Sequence, residues 1–206
     1  MRNEFLPIRL AIFASGTGSN AREIIRYFHE AGNKVLGLPV EVALIVCNKP
    51  GAGVLKVAEA ANVPTLLLEK EEFFRGSHYL TEFKNRGIHF IVLAGFLWKI
   101  PHELIRNFPD RILNIHPALL PKYGGKGMYG AAVHQAVVNA RERESGITIH
   151  YVDEHYDHGR IFFQASFNLS PDETPESLAE KIHALEYRHF PEQIARWLEC
   201  KLSLNP

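Results

Sequence analysis

The sequence predicts an α/β fold: an open, twisted, mostly parallel sheet with helices on both faces and an antiparallel strand pair near the C-terminus. Three observations carry this expectation. Apolar runs of strand length recur along the chain, and segments of helical periodicity separate them. After Ser145 the rhythm changes to two strand-like runs joined by a loop too short for a crossover helix.

In chain order the expected strands are Ile8 to Ala14, Glu41 to Cys47, Thr65 to Leu68, His89 to Leu93 and Ile112 to His116. They read as fully buried, because apolar residues follow one another without polar alternation. The intervening helices are Asn20 to Glu30, Ala52 to Ala61, Glu71 to Arg86 and Pro101 to Asn107. Ile147 to Val152 and Ile161 to Phe167, joined by Asp153 to Arg160, form the antiparallel pair. A last helix starts at Thr174-Pro175-Glu176, which supplies an N-cap, a proline at the first helical position and an early acid. Its apolar stripe runs through Leu178, Ile182, Leu185, Ile194, Trp197 and Leu198, and Pro191 is an expected kink. No linker, repeat or low-complexity stretch interrupts this order, so residues 1–206 are expected to form a single Rossmann-like domain.

Composition narrows the function classes. The chain has 206 residues, 46% hydrophobic and 22% charged, the balance of an ordinary globular domain. Lys plus Arg and Asp plus Glu are 23 each, so no global field exists to hold a nucleic acid or an anionic membrane. The two cysteines, Cys47 and Cys200, make neither a disulfide framework nor a Cys-rich zinc site. No run approaches the roughly 20 apolar residues that span a bilayer, and the N-terminus lacks a signal peptide's continuous apolar region. A soluble cytoplasmic protein is the expectation.

Four segments can carry chemistry. Ala14-Ser15-Gly16-Thr17-Gly18-Ser19-Asn20 joins the first strand to the first helix, and a glycine turn at a helix start presents free N–H groups to an anion. The same pattern also serves a plain turn capped by Ser19 or Asn20. It is not the dinucleotide fingerprint, which needs a third glycine and an acid after the second strand. Asn114-Ile115-His116-Pro117 ends a buried strand, where alternation puts Asn114 and His116 on one face. A carboxamide and an imidazole there suit an oxyanion; their other use is to hydrogen-bond loop backbone. The run Asp153 to Gly159 is either a solvated hairpin tip or a loop whose Asp153 or Asp157 pairs with His116. Its His and carboxylate spacing fits no metal site. Leu119 to Gly130 is glycine-rich, as in a mobile loop over a site or an ordinary surface loop.

Taken together, the glycine loop, Leu93-Ala94-Gly95-Phe96, Asn114 to Tyr123 and His150-Tyr151-Val152 with Asp157 downstream resemble the folate-dependent phosphoribosylglycinamide formyltransferases of the formyltransferase family. The resemblance runs in order from about residue 8 to residue 200. It implies transfer of a formyl group from 10-formyltetrahydrofolate, a co-substrate, to the amine of 5-phosphoribosylglycinamide in purine biosynthesis. It implies Asn114, His116 and Asp157 as the catalytic trio and Gly18, Ser19 and Asn20 as the phosphate site. Glu186 matches the acid near the substrate amine. Leu97, Trp98, Lys99 and Ile100 match the folate segment, Val152 begins the loop on its other side, and Arg75 matches a basic residue near it. Relatives often carry methionine and arginine where Leu97 and Trp98 stand, and the loop Gly124 to Gly130 is longer here. The implied partners are small molecules, with no nucleic acid, membrane or metal, and the family leaves room for a homodimer.

Two readings compete. A formyltetrahydrofolate hydrolase would use the same Asn, His and Asp chemistry but needs no phosphate loop for an acceptor. A non-catalytic nucleotide-binding module on the same fold would keep the glycine loop and have no use for the trio.

Overall fold

In the computed structural model, described over residues 6–75 and 78–203, one mixed sheet runs through the molecule. Its strands are β1 (Ile8–Phe13), β2 (Lys34–Val35), β3 (Leu38–Cys47), β4 (Thr65–Leu67), β5 (Phe90–Leu93), β6 (Ile112–His116), β7 (Glu144–Tyr151) and β8 (Ile161–Asn168). The main order is β3-β1-β5-β6-β7-β8; β2 and β4 both pair with β3. β4, β3, β1, β5 and β6 are parallel to one another, whereas β7 runs antiparallel to β6 and β8 antiparallel to β7.

Alternation along β1 divides the interior. Leu10 and Ile12 belong to one core, with α1 (Ser19–Ile25), α2 (Gly53–Ala60), α6 (Ala131–Asn139) and α7 (Pro175–Ser203). Ala11 and Phe13 belong to the other, with α3 (Lys70–Arg75), α4 (His78–Asn85) and α5 (His102–Asn107). Helices therefore cover both faces, as expected of a buried parallel sheet. α1 continues as a π-helical stretch through Arg26–Glu30. Thr174 caps α7: its Oγ1 accepts from the Ser177 N–H at 3.2 Å. Pro191 lies buried inside this helix. No helix among the described residues is long and apolar enough to cross a membrane.

Three local expectations change. Thr65–Leu67 is not fully buried: it sits on the sheet edge with exposed Thr65 and Leu67, because only β3 pairs with it. Within the expected helix Glu71 to Arg86 the described residues form α3 and α4, and residues 76–77 lie outside them. α6 was not expected; its Val133, Val137 and Val138 are weak helix formers, but Val133 and Val137 pack in the core. β2 pairs only Lys34 with Pro39 and Val35 with Leu38, too short a run to leave a periodicity signal.

Candidate active site

The carboxyl ends of β1, β5 and β6 open on one cavity of about 520 Å³. That is where an open parallel sheet takes its ligands. Ser15 draws two of the strand ends together: its N–H donates to the Gly95 carbonyl at 3.0 Å, and its Oγ accepts from the Leu97 N–H at 3.0 Å.

Gly18, Ser19 and Asn20 line the cavity where α1 begins. Gly18 holds φ at +81°, and a Cβ there would lie 2.6 Å from the Val54 Cα. A side chain is thus excluded both by conformation and by the backbone of α2. Gly18→Ala is expected to cost about 1–3 kcal/mol of stability, which thermal unfolding measures. Asn20 does more than end the loop. Its Nδ2 donates to Glu186 Oε2 at 2.9 Å, while its Oδ1 is buried without a partner.

Glu186 projects into the same cavity from α7 and is only 6% exposed. Burial pushes its carboxyl up to about 7, against the opposing Asn20 hydrogen bond. It is therefore poised between acid and carboxylate near neutral pH.

Asn114 and His116, at the end of β6, meet Asp157 from the β7–β8 loop, as expected for the trio. Asn114 Nδ2 lies 3.4 Å from Asp157 Oδ1, and His116 Nδ1 lies 3.6 Å from Asp157 Oδ2. The choice between Asp153 and Asp157 is thus settled in favour of Asp157; Asp153 instead accepts from the His155 N–H within the loop. Burial pushes the Asp157 carboxyl up, but a hydrogen bond from His150, the neighbouring His116 and the Gly125 N–H outweigh it, and the group lies below its ordinary value. His116 departs from the charged imidazole that an adjacent carboxylate favours. Its burial, at 3% exposure, outweighs the pull of Asp157 and lowers its pKa. In the free protein at neutral pH the ring is a neutral base.

His150 opens the His150-Tyr151-Val152 motif, which by itself gives it no role, and the structure places it in the site. It lies opposite Asn114 in the β6–β7 register, 2.9 Å from Asn114 Nδ2 and 3.5 Å from Asp157 Oδ1. Only the antiparallel pairing of β7 with β6 reveals this, and no pattern within β7 announces its partner. His134, His183 and Tyr156 also line the cavity without having been singled out.

The expected folate segment divides. Leu97 lines the main cavity. Trp98, Lys99, Ile100 and Val152 line an adjoining recess of about 60 Å³, which shares Asn114, Tyr156 and Asp157 with it. The Trp98 ring packs on Phe73 and Phe74 at centroid distances of 5.9 and 5.8 Å. Arg75 is not brought to the site: it ends α3 with its side chain 82% exposed, 3.6 Å from Glu71. No metal-binding cluster of His, Cys, Asp and Glu occurs among the described residues.

Comparison with known proteins bears on this arrangement. The formyl transferase family model matches residues 8–194. A chloroplastic phosphoribosylglycinamide formyltransferase of Arabidopsis thaliana is 41% identical over 94% of this chain and 66% of its own length. The phosphoribosylglycinamide formyltransferase of Bacillus subtilis is 32% identical, covering 92% of this chain and 94% of the relative. The chain thus spans slightly under two thirds of the plant protein and nearly all of the bacterial one. A crystal structure of the Bacillus halodurans phosphoribosylglycinamide formyltransferase superposes with a TM-score of 0.81 at 35% identity, covering 92% of this chain and 95% of that one. With the match extending from β1 into α7, across every strand that shapes the cavity, the chain belongs to the formyl transferase family.

Proposed function

We propose that the protein transfers the formyl group of 10-formyltetrahydrofolate directly to the amine of 5-phosphoribosylglycinamide, a step of purine biosynthesis. The observation that carries this reading is that one cavity is lined by the Gly16–Asn20 loop, Glu186 and the Asn114–His116–Asp157 trio together. An acceptor with a phosphate at one end and an amine at the other uses all three. The N–H groups at the start of α1 take the phosphate. Glu186 accepts a hydrogen bond from the amine.

The amine nitrogen attacks the formyl carbon, and the new C–N bond creates a tetrahedral oxyanion. Asn114 Nδ2 donates to that oxygen. Neutral His116 takes the proton that the amine must lose, and the resulting imidazolium is stabilised by Asp157 and by the oxyanion. Collapse breaks the bond between the formyl carbon and the folate nitrogen, and His116 returns the proton to that nitrogen. One proton moves from acceptor to donor, and no covalent enzyme intermediate is required.

The recess beside Trp98, Lys99, Ile100 and Val152 is the place for the folate ring. Its volume is far below the roughly 300 Å³ at which ligand pockets begin, so a bound ring needs a wider recess, of which the Asp153 to Gly159 loop forms one wall. A cytosolic location goes with this reading, resting on the free Cys47 and Cys200; the Arabidopsis relative is chloroplastic by name.

The test is the absorbance of tetrahydrofolate release with and without the phosphorylated acceptor. Release that requires the acceptor is the expected result. Equal release without it would establish the hydrolase, and no release with it would exclude the assignment.

A further inference from the structure

A second set of contacts to His116 and Asp157 comes from the backbone of the loop between β6 and α6. The Tyr123 carbonyl is 2.8 Å from His116 Nε2. A carbonyl oxygen can only accept, so Nε2 carries a hydrogen and the neutral ring keeps its lone pair on Nδ1. Two residues further on, the Gly125 N–H donates to Asp157 Oδ2 at 2.9 Å. The segment 123–125 is therefore a strap that holds both His116 and Asp157 through backbone atoms. It passes close over the acid: a Cβ on Gly124 would lie 3.1 Å from the Asp157 Cβ and 2.6 Å from Leu120 Cδ2.

The strap is in an unfavourable conformation and is anchored from outside. Tyr123 has φ +56°, a left-handed value that an aromatic residue adopts only when its surroundings impose it. Its hydroxyl donates to Glu142 Oε1 at 2.8 Å, and Lys122 Nζ reaches the same oxygen at 2.8 Å. Glu142 stands between α6 and β7 and does not line the active-site cavity. The two hydrogen bonds keep it a carboxylate, below its ordinary pKa. Burial, then Glu142, pushes the Tyr123 phenol up to about 12, so it stays a donor at any working pH.

We propose that Glu142 is a positioning residue for the formyl transfer: through the Tyr123 hydroxyl it fixes the strap that aims His116, and so makes Nδ1 the nitrogen that exchanges the proton. The proposal rests on the transfer reading above. It treats Tyr123 and Glu142 as one device acting on the barrier, with no part in binding either substrate.

Tyr123→Phe and Glu142→Ala are each expected to lower kcat on the order of 10-fold, with KM for both substrates unchanged. The double variant should lose no more than either single one, because the two residues act in series. Glu142→Gln keeps an oxygen that accepts the Tyr123 hydrogen bond, and it should recover most of the lost kcat. Nitrogen-15 NMR of histidine in the free protein supplies a readout that does not depend on turnover. Neutral His116 should be the Nε2–H tautomer in the wild type and a mixture in Tyr123→Phe. A wild-type Nδ1–H tautomer, unchanged kcat in both single variants, or additive losses in the double variant would each overturn the proposal. Since the tautomer is read without substrate, it decides the positioning role even if the assigned acceptor proves wrong.

Discussion

Replacing His116 by alanine is expected to lower kcat by about 10³-fold or more, while the affinity for the phosphorylated acceptor stays within a few-fold. The size follows from two losses at one position. Removing a positioned proton carrier costs about 10²–10⁴, and removing a donor to the developing oxyanion costs about 10²–10³. The two overlap in one side chain and do not simply multiply. The selectivity follows from the fold, because the acceptor's phosphate is assigned to the start of α1 and His116 stands at the end of β6. Asp157→Asn keeps the shape but removes the charge that stabilises the imidazolium; a loss of about 10²-fold in kcat is expected. The pH dependence has a definite sign. Burial first, against the opposing pull of Asp157, lowers the His116 pKa from 6.5, so the neutral base persists below that pH. The acid limb that His116 contributes to kcat/KM, which reports the free enzyme, should fall below 6.5, apart from the limb near 7 that Glu186 contributes and that Glu186→Gln removes. Stopped-flow and steady-state rates across pH, with acceptor binding by calorimetry, measure all three. A His116→Ala protein that retained wild-type kcat would remove the base from the account.

Glu186→Gln is expected to make the protein more stable and less active at once. The carboxyl is raised by burial from 4.5 to about 7, with the Asn20 hydrogen bond as the opposing influence. The sign is fixed by linkage. Stability associated with the neutral acid is fully present below the unfolded value of about 4.5, and it is lost as pH rises through about 7. At pH 8 the buried carboxylate costs about 3 kcal/mol relative to a neutral group. The substituted carboxamide would still accept from Asn20 Nδ2 and would never ionise. The thermal midpoint of Glu186→Gln should therefore exceed that of the wild type at pH 8, with the gap shrinking to under about 1 kcal/mol at pH 5. Activity should move the other way. A lost hydrogen bond to a charged partner is worth about 1.5–3 kcal/mol, so kcat/KM for the acceptor should drop about 10- to 100-fold at pH 8. Equal midpoints at both pH values would mean that the carboxyl is not held in its raised state.

The parts of this arrangement written in the sequence are those that depend on neighbours along the chain. The buried strands β1, β3, β5 and β6 stand out because both of their faces are covered, so their apolar residues run together. The α7 cap is legible from Thr174-Pro175-Glu176, since capping is settled within one turn. The trio needed more. Asn114 and His116 share a face by alternation, but Asp157 joins them only because the β7–β8 loop folds back across the sheet end. His150 is legible as part of a motif, but its place beside Asn114 is not, because that pairing is a matter of cross-strand register. The charge state of His116 was also beyond reach, because an adjacent carboxylate can be guessed from a motif whereas the extent of burial cannot. The exposure of Arg75 was not legible either: its side chain lies in solvent beside Glu71 and lines neither the cavity nor the recess. α6 was obscured by its β-branched residues, whose helical state is fixed by packing in the core with α7.

The most direct measurement follows the formyl carbon itself. With 10-formyltetrahydrofolate labelled with carbon-13 at the formyl group, a single turnover in the presence of 5-phosphoribosylglycinamide should place the label in the formamide of the acceptor, one for each tetrahydrofolate released. Label that appears as free formate, at the same rate with or without the acceptor, would contradict direct transfer.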